Sequence, residues 1–267
     1  MQKFQADLAA LLEEGASEGL TAPARKKLIE EAHEIQEQLT KLLRAVDPVK
    51  LPSAVFDPSE PKLVGSFTAL AMVAQPEMPL ASVERFYGSG IYALYYKGGF
   101  PLYGPIRSTE TPIYVGKADP ALGSARTPVQ QGERLAGRLA DHRRNVNKAD
   151  NLDIDDFTCR ALVVQSGWQS AAESYLIHLF QPIWNKEIGL IFGFGKHGDA
   201  ATTRANKRSP WDTLHQGRGW AGADALEDAK TPMQIETEVS NHLSKGKIFS
   251  DLEAVLEAFV RELRQKK

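Results

Sequence analysis

The chain has 267 residues, enough for one large domain or two small ones and well above the size at which a hydrophobic core becomes marginal. It is 42% hydrophobic and 25% charged, and its 32 Lys and Arg against 34 Asp and Glu give a formal charge of -2. Taken as a sum, that charge argues against a polycationic nucleic-acid binder. The single cysteine, Cys159, excludes an intramolecular disulfide and a multi-cysteine zinc site.

Residues 3–14 predict a first helix with Phe4, Leu8, Leu11 and Leu12 on one face. The N-terminus carries an early acid and no long apolar stretch, so it does not read as a signal peptide. No run approaches the ~18–20 apolar residues of a membrane span, and a soluble cytoplasmic protein with no membrane partner is expected. Thr21 is the expected cap of a second helix with Pro23 in its first turn. Leu28, Ala32, Ile35, Leu39, Leu42 and Val46 then follow at alternating spacings of four and three. Two readings stay open for that seam: packing on its own domain, or a short coiled-coil contact between two copies.

Residues 47–61 hold four prolines and predict a linker. Asp57 and Glu60-Pro61-Lys62 faintly echo the carboxylate-and-lysine pattern of another nuclease class. That pattern needs paired strands, so in a proline-punctuated loop it is taken as chance. The β-branched and aromatic runs 90–96 and 111–117 predict two strands joined by a long hairpin connection. A helix over 132–146, a strand over 157–164 that carries Cys159 as a buried spectator, and a helix over 170–180 follow. Residues 186–220 are glycine-rich and polar and predict long loops. Helices over 232–243 and 249–264 predict a helical cap.

Three observations carry chemistry. Tyr92 and Tyr114 lie on strands expected to pair, so their phenols could face one cleft, although tyrosines are common in half-buried strands. Arg134, Arg138 and His142 are spaced by four along one helix, a row suited to an anionic oxygen and a proton relay, or equally to a solvated basic face. Glu173 shares a helical face with Leu176, Ile177 and Phe180, where a carboxylate needs a partner or a metal; standing three residues after Ser170, it also fits a capping box.

In order along the chain, Gly90-Ile91-Tyr92, Tyr114-Val115-Gly116, Arg138 with His142, Glu173 and Asn185 resemble the GIY-YIG nuclease superfamily over roughly residues 84–190. The resemblance implies an α+β fold whose core is a small, mainly antiparallel sheet flanked by helices, with N- and C-terminal helical extensions. The expected domains are 1–83 as a helical region and linker, 84–220 as the nuclease core with its recognition inserts, and 221–267 as the cap. Gly193-Phe194-Gly195-Lys196-His197-Gly198 and the run 207–215 extend the likeness to type II restriction endonucleases with SacII-like specificity, which implies the palindrome CCGCGG.

What the resemblance implies for the site is a phosphodiester hydrolase with Glu173 holding one Mg²⁺ per active site, and Arg138 at the scissile phosphate. Tyr92, Tyr114 and His142 orient and deprotonate water, with Tyr92 favoured as base and His142 as its hydrogen-bond partner, and Asn185 positions the site. Lys117 is a candidate phosphate contact. Arg107, Arg126, Arg134, Lys196, His197, Arg204, Lys207, Arg208, His215 and Arg218 are the supply of further DNA contacts, arginine being best suited to guanine edges. A palindrome implies at least a homodimer, up to a tetramer, and a host DNA methyltransferase as functional counterpart. The alternatives are a repair or homing nuclease of the same superfamily, and a non-catalytic DNA-binding module that kept the fold.

Segmenting the charge reverses its first message. Residues 90–220 hold 16 basic and 12 acidic side chains, while residues 1–89 hold 9 and 13 and residues 221–267 hold 7 and 9. The basic excess lies on the segment that the motifs place against DNA, where it can steer association and make it salt-dependent.

Overall fold

A computed structural model describes residues 6, 8–10, 12–13, 21–46, 49, 57, 59–165, 167–195, 207–222 and 226–265. The chain divides into two compact units, Met1–Val55 and Phe56–Lys267. In the first, helix α1 spans Ala22–Val46 and buries none of its residues. Thr21 caps it as expected, its Oγ1 accepting from the Ala24 N–H at 3.4 Å. Ion pairs Lys26–Glu30, Lys27–Glu31 and Glu37–Lys41, four residues apart, lie along its polar side. Of the helix expected over 3–14, the described residues 6, 8–10 and 12–13 are helical; the other half, and most of the linker after Val46, lie outside the described residues.

The second unit is built on a four-stranded antiparallel sheet of order β1-β4-β2-β3, with β1 Met78–Pro79, β2 Gly90–Tyr96, β3 Tyr114–Ala118 and β4 Phe157–Val163. All seven residues of β2 are buried, which is why it reads as an unbroken apolar and aromatic run rather than an alternating one. Alternation still sorts its side chains between two cores. Ile91, Ala93 and Tyr95 pack with helices α2 (Pro61–Val73) and α5 (Gln169–Phe180) and with Val255 and Ala258 of α8 (Leu252–Gln265). Tyr92, Leu94 and Tyr96 pack with α4 (Arg134–Val146), with Trp184, Phe194 and Trp211, and with α7 (Pro232–Lys245). Two short helices, α3 (Pro128–Gln131) and α6 (Pro210–Leu214), complete the set.

The mixed α+β architecture with helices on both faces of a small antiparallel sheet is the one expected. The division between the two compact units falls between Val55 and Phe56, and α2, α7 and α8 all contribute to the two cores of the second unit. Helix α2 escaped the sequence reading, since its run of small and apolar residues has no polar face and does not show helical periodicity.

Gly65 sets how closely α2 and α5 approach. A Cβ built there would stand 2.9 Å from the backbone carbon of Ala171. Gly65→Leu is therefore expected to destabilise the fold by about 1–3 kcal/mol through overpacking, read as a lower urea midpoint at unchanged slope. An unchanged midpoint would show that the two helices can separate freely.

Candidate active site

Helix α4 advances about 40° around its axis for every four residues, so the row Arg134, Arg138, His142 does not stay on one face. Arg134 is exposed, Arg138 half-buried, and His142 fully buried beside Leu135, Leu139 and Val146. There its Nε2 meets the Tyr92 hydroxyl at 2.6 Å. The Tyr92 ring lies across Gly116, its partner on β3; a Cβ at Gly116 would fall 2.4 Å from that hydroxyl. The last glycine of the Tyr-Val-Gly motif is thus the space the first tyrosine occupies. Tyr114 stands between Tyr92 and the cleft, its ring centroid 6.1 Å from that of Tyr92 and 5.1 Å from that of His142.

Asn185 makes no contact with the cleft. Its Oδ1 accepts from the Val115 N–H and its Nδ2 donates to the Val115 carbonyl, both at 2.9 Å. It thereby closes the open edge of β3 and fixes Tyr114 one residue away. The turn that delivers it passes through Gln181, in left-handed conformation at φ 48°, and Pro182.

The cleft has a volume of about 680 Å³ and is lined by Tyr114, Lys117, Asp119, Arg134, Arg138 and Glu173 among others. Its charges divide by element. Helix α4 contributes Arg134, Arg138 and Arg144; of the acids beside them, Glu133 pairs with Arg85, while Asp141 pairs with Arg144 and, at 3.8 Å, with Arg138. Glu173 on α5 and Asp119 form the anionic side. Lys117 reaches across to Ser170 Oγ at 2.8 Å and to Asp119. The capping box that the sequence allowed is absent: Trp168 stands at the N-cap position of α5 without a side-chain cap bond, Ser170 bonds Lys117, and the Glu173 side chain lines the cleft.

Burial raises both phenols above the usual tyrosine range. Tyr92 lies well above it, through burial and then the neighbouring Tyr114, with Arg138 acting the other way. Tyr114 is raised by burial, opposed by Arg138 and reinforced by Glu173. Glu173 is pushed up to about 7 by burial, against Lys117 and with the help of Glu187 and Asp119. A half-desolvated carboxylate facing a cleft is a donor that gains from a hard cation. Among the described residues no cluster of three or more acidic, histidine or cysteine side chains offers a full metal cage.

Apart from His215 and Arg218, the expected DNA contacts separate into four groups. Lys117 and Arg134 line the cleft. Arg107 and Arg126 are exposed and do not. Lys207 pairs with Glu227, and Arg208 with Asp228 and the Ala221 carbonyl. Lys196, His197 and Arg204 lie outside the described residues.

His215 and Arg218 correct the reading of 186–220 as exposed loop. His215 is fully buried, bonded to Tyr103 at 2.5 Å and Asn151 at 2.9 Å, and burial with the nearby Arg218 lowers its pKa to about 3. Arg218 is 2% exposed and pairs with Asp212 at 2.6 Å. Both side chains brace the interior, because α6 and its flanks fold inward on Trp211. Phe194, whose ring stacks on His142 at 4.6 Å, enters the sequence reading only within the run 193–198, where nothing joins it to His142, 52 positions earlier.

A family model described as the Eco29kI GIY-YIG domain matches residues 84–243. Comparison with curated proteins finds no match.

The Glu173 carboxylate also has a stability signature. Its native pKa of about 7 lies above the ordinary 4.5. Below that ordinary value both native and unfolded chains hold the proton, and the stability this confers is lost as pH rises through about 7. Without metal, Glu173→Gln should therefore melt higher than the parent near pH 8, with the gap closing toward pH 5. Equal melting curves at both pH values would mean that the carboxylate is not desolvated.

Proposed function

The chain belongs to the Eco29kI GIY-YIG family, and from that membership we propose that it is a type II restriction endonuclease. It hydrolyses double-stranded DNA at a short GC-rich palindrome, CCGCGG, with Mg²⁺ as cofactor. The observation that carries the reading is the tyrosine pair, with Tyr92 bonded to His142 behind Tyr114 and Arg138, facing the Glu173 carboxylate across one cleft. A palindrome read by one polypeptide calls for a two-fold assembly with one active site per strand, so a homodimer or a tetramer of two such pairs is part of the proposal. Protection of host sites by a DNA methyltransferase is its functional counterpart.

The proton chemistry follows from burial. A phenol of pKa near 10 is only ~0.1% ionised at pH 7, and burial makes a standing phenolate at Tyr92 rarer still. The tyrosines therefore act by relay. As the water oxygen attacks phosphorus, its proton passes to the tyrosine pair, and the Tyr92 hydroxyl donates its own proton to His142 Nε2, 2.6 Å away. The water O–H breaks and a new P–O bond forms while the opposite P–O ester bond breaks; the water proton ends on His142 as an imidazolium, and the departing ester oxygen takes a proton from solvent. Arg138, beside both phenols, faces the phosphate oxygens where negative charge grows. Lys117 holds the Glu173 side of the cleft and offers a further contact to the DNA strand. Glu173 would hold Mg²⁺, which when bound neutralises developing charge on the phosphate. Asn185 acts through β3, keeping Tyr114 in place.

Digestion of plasmid DNA with Mg²⁺, followed by sequencing of the ends, should give one discrete pattern centred on CCGCGG; ragged or sequence-independent ends would overturn the restriction reading. Glu173→Ala is expected to bind that site and not cut it, by gel shift and cleavage assay together. Because a proton competes with the cation for a carboxylate of pKa about 7, cleavage should rise with pH through neutrality, and added Mg²⁺ should move the midpoint down. Tyr92→Phe should lower the single-turnover rate ~10²–10⁴-fold. Near-parental activity would move the base role to His142 or Tyr114.

A further inference from the structure

We propose that Phe194, held by the buried Asp212–Arg218 ion pair, is a positioning residue that fixes the plane of the His142 imidazole. The inference rests on the relay assigned to Tyr92 and His142. Phe194 is fully buried, and its ring lies 14° from parallel to His142 with centroids 4.6 Å apart. It also meets the Tyr114 ring edge-on at 5.4 Å. An imidazole can accept the Tyr92 proton only while Nε2 points at that hydroxyl, and a flat ring stacked on one face limits rotation of the imidazole out of that plane.

The backbone of Phe194 is held as firmly as its ring. Its carbonyl accepts from Arg218 Nη1 at 3.1 Å and from Asn145 Nδ2 at 3.0 Å, Asn145 being three residues beyond His142 on α4. Arg218 Nη2 takes the preceding carbonyl, Gly193, at 3.0 Å. Only a guanidinium offers donors spaced to grip two consecutive carbonyls and a carboxylate together. The carboxylate is anchored in turn, since Asp212 Oδ2 accepts from Ser209 Oγ at 2.5 Å. Trp211 and Trp220 sandwich the charge at 4.3 and 4.9 Å. Gly193, at φ 113°, leaves the gap that Ser209 fills; a Cβ there would stand 2.1 Å from the serine oxygen.

A buried ion pair seldom adds net stability over an apolar filling of the same volume. This one sits among tryptophans that would pack without it, and what it supplies is direction, two carbonyls held so that the ring between them cannot leave His142.

The test is single-turnover cleavage with enzyme in excess. Phe194→Leu keeps an apolar side chain and removes the flat ring. It is expected to slow cleavage ~10–100-fold, with affinity for cognate DNA within about 2-fold of the parent and a melting temperature lowered by the smaller side chain but still well above the assay temperature. In a His142→Ala background the same substitution should cost nothing further. An unchanged rate in Phe194→Leu, or an equal loss in both backgrounds, overturns the positioning role. Parental cleavage by His142→Ala alone instead overturns the relay, a separate and visible result. Should His142→Ala cut too slowly to measure, nitrogen NMR of labelled histidine decides: Phe194→Leu should move the His142 ring signals, and unmoved signals overturn the proposal. Arg218→Met should reproduce the slowing where it folds; Phe194→Leu carries the test where it does not.

Discussion

The hydrogen bond between Tyr92 and His142 ties the middle of the sheet to the middle of α4, and the local geometry of the core serves it. It exists only because Gly116 has no side chain beneath the Tyr92 ring. It points correctly only because Asn185 holds the β3 backbone and Phe194 lies flat on the imidazole. These three supports come from three segments distant in sequence, and each acts on a different degree of freedom: the depth of the phenol, the position of its neighbouring strand, and the plane of the acceptor. A shift of about 1 Å in any of them is enough to cost orders of magnitude in rate. That sensitivity is consistent with building the pair on a strand and a helix rather than on loops.

Burial sets the electrostatic problem that the cleft has to solve. Both phenols are buried and hold their protons, so the proposed relay would move them in step rather than lose them beforehand. On the anionic wall the same desolvation pushes Glu173 up to about 7. On α4 the cleft holds Arg134, Arg138 and Arg144, with Asp141 shared between the last two and Glu133 taken by Arg85. A phosphodiester fits between the two walls by charge alone. The near-neutral total of the chain conceals this, because the basic excess of the middle segment is offset by acids on the helices before and after it.

What the sequence discloses is what local pattern can encode. The apolar and aromatic runs at 90–96 and 157–163 mark strands, and the spacing of leucines on α4 marks a helix. The ordered motifs name residues that the structure brings together: Tyr114, Arg138 and Glu173 line one cleft, and Tyr92 and His142 are bonded to each other behind Tyr114. Helix α2 was hidden by its lack of a polar face, and Ser170 looked like half of a capping box because the pattern does not say that Lys117 will reach it first. His215 and Arg218 were misplaced for a different reason. Histidine and arginine in a glycine-rich stretch look solvated, and only tertiary contact reveals that Tyr103, Asn151 and Asp212 wait for them inside.

Those two buried polar side chains show how the second core is organised. Its aromatic residues, Trp184, Phe194, Trp211 and Tyr103, are large and could stack in many arrangements of similar energy. Hydrogen bonds choose among them. Tyr103 is fixed by Trp184 on one side and His215 on the other, and the Phe194 carbonyl by Arg218. A core filled by dispersion alone would be about as stable but less singular. Because the side of Phe194 that meets this core is continuous with the side that meets His142, singularity of packing becomes precision at the proton acceptor. Polar groups buried far from the cleft thus contribute to the chemistry without touching it.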